Sequence, residues 1–159
     1  MTDAYENLHV LGLRLPPPAP AAGNFAPGMQ SGDLLFLSGA IGTAHDGATW
    51  SLPIRGKLGA EVSLEDGRRS AELCALNHLS AIHALTGDLG RVRQVIKLTG
   101  HVNAAPGFTK APLVLDGASD LLLAVFGQER GRHARVATYQ PEMSFHAPLE
   151  TDLIVQLCG

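Results

Sequence analysis

The chain has 159 residues, 45% hydrophobic and 17% charged, with a net charge of -3; this is the balance of one globular domain large enough to bury a core. An acidic balance with only 5% aromatic residues argues against gripping a phosphate backbone or stacking bases, so no nucleic-acid partner is expected. No apolar run nears the roughly 18 residues of a membrane span, and the acidic start MTDAYENLHVLGL lacks a signal-peptide n-region. The isolated Cys74 and Cys158 fit free thiols in a reducing cytoplasm, which is the expected location.

Residues 1–22 read as an extended N-terminal arm, because LPPPAPAAG (Leu15 to Gly23) is too rich in proline for a helix. The domain proper is then 23–159. In GDLLFLSGAIG, the apolar run Leu34–Leu37 reads as a buried strand that leaves the sheet at Ser38-Gly39. A loop rich in Gly, Asp and Thr follows, and IRGKLG (Ile54 to Gly59) reads as a short edge strand.

The clearest helix starts at Ser63, where SLED places acids on the positive end of the helix dipole. Ala71, Ala75, Leu79 and Ile82 recur at helical spacing, and the glycines of TGDLG end it. RVRQVIKLTGHVN then alternates as a strand, with Ile96, Leu98 and Val102 toward the core and Lys97, Thr99 and His101 away. After AAPGF, a second helix is expected over Ala118–Gly127, capped by Asp116 or Ser119 and stopped by Gly127. Two strands close the chain, Ala134–Gln140 and Pro148–Leu157, joined by PEMSFHA.

That order gives an α+β fold, a mixed sheet with two helices on one face. The last strand carries two rows, Leu149, Thr151, Leu153, Val155 and Leu157 against Glu150, Asp152, Ile154 and Gln156. With one helical layer available, the second face is expected to meet another subunit.

A hairpin turning between Glu142 and Met143 would set Arg135 directly across from Glu150, close enough to pair. Such a pair can be a plain surface ion pair. It can also be a site, with the guanidinium on an apolar stretch gripping a substrate carboxylate and the glutamate handling a water. His78 and His83 cannot share a helix face, and the other histidines show no ligand spacing, so no metal is expected. Asn103 and His101, near a strand end, fit either a cleft wall or a capping role. Gly39 and Gly42 do not extend to a phosphate-binding fingerprint.

The stretches GDLLFLSGAIG, GDLGRVRQVIKLTGHVNAAPGF, GASDLLLAVFG and HARVA followed by LETDLI resemble, in this order, the RidA/YjgF family, often labelled endoribonuclease L-PSP. GASDLL and GRHAR resemble its longer branch, and the likeness runs from Asn24 to Val155. It implies a chorismate-mutase-like subunit in a homotrimer with a central barrel-like core and ligand clefts between subunits. The activity implied is hydrolysis of reactive 2-imino or 2-enamino acids to 2-keto acids and ammonia, with no cofactor; the partner is a small carboxylate-bearing ligand. The resemblance makes Arg135 the carboxylate binder, Glu150 the water handler, and Ser38 with Gly39 part of a cleft-lining loop. Phe25 stands where the deaminases carry a tyrosine, Ala137 where they carry a cysteine, and the mid-chain asparagine position falls near Pro106. Phe25, Asn103 and Ala137 complete the expected ligand contacts. A small-carboxylate-binding or regulatory trimer without turnover is the alternative.

Overall fold

The computed structural model describes residues 3–159. Five strands form one mixed sheet: β1 (Gly28–Ser31), β2 (Leu34–Ile41), β5 (Val92–Asn103), β6 (Ala134–Gln140) and β7 (Leu149–Leu157), in the order β1-β2-β7-β5-β6. Only β5 and β6 run parallel. Helices α2 (Leu64–Thr86) and α3 (Ala111–Gly131) cover one face, and α1 (Ala4–Val10) packs against α3. A two-residue-per-strand hairpin, β3 (Ala44–His45) and β4 (Trp50–Ser51), sits in the expected loop.

The local signals for α2 act as read. The Ser63 hydroxyl accepts from the Asp66 N–H at 3.1 Å, Glu65 and Asp66 occupy the first turn, and Gly87 ends the helix at φ 80°. A bare Cα on α3 lets the two helices approach closely: a Cβ on Gly117 would lie 2.0 Å from the Arg68 carbonyl oxygen of α2. Helix α3 starts at Ala111, earlier than Ala118, because Pro112 falls in the first turn, where a missing N–H costs nothing. Asp116 and Ser119 are therefore interior helix positions and not caps. Gly127, the expected stop, does leave helical geometry (φ 79°, ψ 169°) before the last turn. By length and composition α3 could cross a membrane, but Asp116 and Asp120 interrupt it and its apolar face packs on α2 and β5.

Four expectations fail locally. The N-terminal arm begins with a helix: Asp3 caps α1, Ala4 and Leu8 are buried, and the Asn7 amide donates to the Val125 carbonyl at 2.8 Å. The prolines from Pro16 onward do exclude helix, but they say nothing of the turns before them. Ile54–Gly59 is not a strand, since Leu58 makes only isolated bridges to Val62 and Ala104. The run Leu34–Leu37 is buried on one side only: Leu35 and Leu37 face the helices and Phe36 faces out. A register shift between Val95 and Lys97 likewise buries Val95 where Ile96 was expected.

The largest correction concerns the last two strands. They do not form a hairpin. Helix α3 is a crossover, so β6 lies parallel beside β5 at the sheet edge. The 141–148 segment then passes over the end of β5, a span of about 10 Å for two strand spacings, and β7 enters between β5 and β2. Arg135 is thus partnered by Leu98, and Glu150 by Ile41 and His101.

The core fills the space between sheet and helices, with Leu149, Thr151, Leu153, Val155 and Leu157 all buried. On the other face, Met29, Phe36 and Val136 are 68%, 42% and 42% exposed. Among the described residues nothing else covers that face.

Candidate functional site

Strand alternation sets Glu150 and Asp152 on the open face of β7, since Leu149, Thr151 and Leu153 are committed to the core. The same alternation turns His101 and Thr138 outward on β5 and β6. Ile41, Glu150, His101 and Thr138 are successive partners across four strands. At this end of the sheet a cleft of about 410 Å³ opens, lined by Gly39, His101, Gln140, Glu142, Glu150 and Asp152 among others.

Glu150 rests on a glycine. The β2 register slips between Leu37 and Ala40, and a Cβ on Gly39 would stand 2.0 Å from Glu150 Oε1. Only a bare Cα lets the carboxylate lie there. No salt bridge among the described residues involves Glu150. Ser38, next to it, donates its hydroxyl to the Ala26 carbonyl at 2.6 Å and its N–H to the Pro27 carbonyl at 2.9 Å. It thereby fixes the segment that carries Phe25, whose ring is 51% exposed and outside the cleft lining.

Arg135 is elsewhere. Its side chain lies on the helix side, where Nη1 donates to Asp116 Oδ1 at 2.8 Å and Ser119 Oγ at 3.0 Å, and Nη2 to the Pro112 carbonyl at 3.1 Å. Asp116 also faces Arg68 at 3.7 Å. Nε–H and one Nη2–H are left without a partner among the described residues. One subunit does not bring Arg135 and Glu150 together. Ala137 follows Arg135 on the helix side and packs against the core.

Asn103 is fully buried and does not line the cleft. Its amide donates to the Ala147 carbonyl at 3.0 Å and its oxygen accepts from Lys57 Nζ at 3.0 Å. Lys57 also donates to the Pro141 carbonyl. Asn103 therefore clamps the 141–148 segment over the end of β5, which shapes the cleft from beneath.

Below Thr151 lie two neutral groups. Burial pushes His78 down to about 4 and Cys74 up to about 12. His78 Nε2 sits 2.9 Å from Thr151 Oγ1. Neither a cation nor a thiolate is available there near neutral pH. No group of three or more His, Cys, Asp or Glu among the described residues could hold a metal ion.

Sequence reasoning missed the pairing of His101 with Asp152, whose Nε2 to Oδ2 distance is 3.5 Å. The alternation already placed both on outward rows. What was missing was the register, which a non-hairpin connection hides.

The chain matches the family model described as YjgF/chorismate mutase-like, with an endoribonuclease label, over residues 6–157. It is 41% identical over 151 residues to Protein TCP17 of Trypanosoma cruzi, covering 95% of this chain and 92% of that one. Among solved structures it resembles Atu1372 of Agrobacterium tumefaciens, described as of unknown function, at 38% identity and TM-score 0.85, over 97% of this chain and 91% of that one. It also resembles a protein of Shewanella oneidensis described as an endoribonuclease, at 33% identity and TM-score 0.92, over 98% and 100% of the two chains.

Proposed function

The chain belongs to the YjgF/RidA family, and from that premise we propose that it hydrolyses small reactive 2-imino or 2-enamino acids, such as 2-iminobutanoate and 2-iminopropanoate. The products are 2-keto acids and ammonia, formed in the cytoplasm without a metal or organic cofactor. The observation that carries the reading is the Glu150 carboxylate, half-buried over bare Gly39 with no salt-bridge partner among the described residues. A carboxylate so placed can orient a water and take its proton.

In this reading the protein works as a homotrimer whose open sheet faces turn inward and cover Met29, Phe36, Val136 and Ile154. β6 is an edge strand, so Arg135 stands at a subunit boundary. Its remaining Nε–H and Nη2–H serve the substrate carboxylate, while Ser38 holds the Phe25 segment beside the Gly39 wall. The endoribonuclease label suits the cleft poorly, because Glu150 and Asp152 line it with no lysine or arginine beside them among the described residues of the lining and would repel a phosphate backbone.

The test is imine decay: an amino-acid oxidase generates 2-iminobutanoate and the purified protein is added. The expected result is decay faster than in buffer, and equal rates would remove the deaminase reading. The ties on Arg135 favour one second reading, a small-carboxylate-binding or regulatory trimer. Thermal stabilisation by 2-oxobutanoate without imine decay would select it.

A further inference from the structure

The residue directly across from Glu150 is His101, and both open into the same cleft. Opposed side chains on one sheet face stand within reach of a shared small ligand. The His101 ring is held at both ends: Nδ1 lies 2.9 Å from Thr138 Oγ1 on β6, and Nε2 lies 3.5 Å from the Asp152 carboxylate on β7. Thr138 Oγ1 in turn lies 3.4 Å from the Gly100 carbonyl, which can take its hydroxyl proton. Three strands therefore fix one imidazole.

Packing does not account for this arrangement. The His101 side chain is 34% exposed, whereas the core histidine, His78, is buried and neutral. The charged groups that line the cleft with His101 are Asp152 and Glu150 on β7 and Glu142 in the 141–148 segment, the last paired with Lys57 Nζ at 3.7 Å just outside the lining. Among the described residues no lysine or arginine lines the cleft itself. Such a field favours a ligand with a cationic nitrogen, and a protonated imine is one.

We infer that His101 is the acid–base partner of Glu150, giving a proton to the nitrogen that leaves. The inference rests on the deaminase reading above. Water oxygen bonds to C2 of the protonated imine as Glu150 takes a water proton, and the C=N π electrons move to nitrogen. The carbinolamine nitrogen then takes a proton from the imidazolium. The C–N bond breaks with its electron pair leaving on ammonia, the hydroxyl oxygen forms the C=O bond, and the hydroxyl proton returns to His101. Ammonia takes the Glu150 proton, so imine cation and water become 2-keto acid and ammonium.

The experiment follows imine decay for the full chain and its His101→Gln, Asp152→Asn and Thr138→Val variants, with uncatalysed decay subtracted. His101→Gln should lower kcat about 100-fold, in the range of acid–base catalysis, with KM nearly unchanged. Thr138→Val and Asp152→Asn, which free the ring, should lower kcat less. An active wild type with kcat unchanged in His101→Gln overturns the inference and leaves the deaminase reading standing. A wild type no faster than buffer overturns both. If His101→Gln does not fold, unchanged kcat in both ring-freeing variants is the overturning result.

Discussion

The two faces of the sheet treat their polar residues in opposite ways. On the helix side, Arg135 is tied to Asp116 and Ser119, and His78 to Thr151. Those bonds serve the fold, and Arg135 keeps Nε–H and one Nη2–H beyond them. On the open side, Glu150 has no ionic partner among the described residues and His101 is held but half-exposed. A buried polar group must be satisfied internally, so the ionisable groups that line the cleft collect on the face that the helices do not cover.

Substitutions on each face sharpen that contrast. The largest effect is expected at Gly117, where Ala would press a methyl onto the Arg68 backbone. A loss of about 3 kcal/mol is expected in urea unfolding, and an unchanged midpoint would mean that α2 and α3 are further apart than described.

Second comes pH. His78 has its pKa lowered in the folded state, from 6.5 to about 4, so the unfolded chain binds the proton first. Its contribution is present above pH 6.5 and is lost as pH falls toward 4. That corresponds to a loss on the order of 3 kcal/mol. His78→Gln should flatten this part of the stability–pH curve; a slope that survives would place it on other groups.

Arg135→Met ranks third. Both partners of the Arg135–Asp116 pair are partly exposed, so the fold should lose only about 1 kcal/mol by thermal melting. A rise in KM for the imine at intact kcat would add the proposed anchoring role to the structural one. Phe36→Glu is the smallest for the isolated fold, within about 0.5 kcal/mol, yet light scattering should show the proposed trimer lost. A trimer that persists in Phe36→Glu would move the subunit interface off the open face.

What was legible in the sequence follows the range of the forces involved. The α2 boundaries were readable because Ser63, Glu65, Asp66 and Gly87 act within a turn of themselves. The two rows of β7 were readable because strand alternation is local. Strand partnership was not, since the crossover through α3 and the passage of 141–148 over β5 depend on contacts distant in sequence. That one error put Arg135 across from Glu150 and hid His101. Helix α1 was lost to the prolines that follow it, and the exposure of Phe36 to a run of apolar neighbours that looks buried on both sides.

The most direct measurement is the steady-state imine-decay rate of Glu150→Gln beside wild type, with melting temperatures taken on the same samples. An open-face site predicts a fall in kcat of about 100-fold or more with the melting temperature essentially unchanged. A Glu150→Gln protein that turns over at the wild-type rate would contradict it.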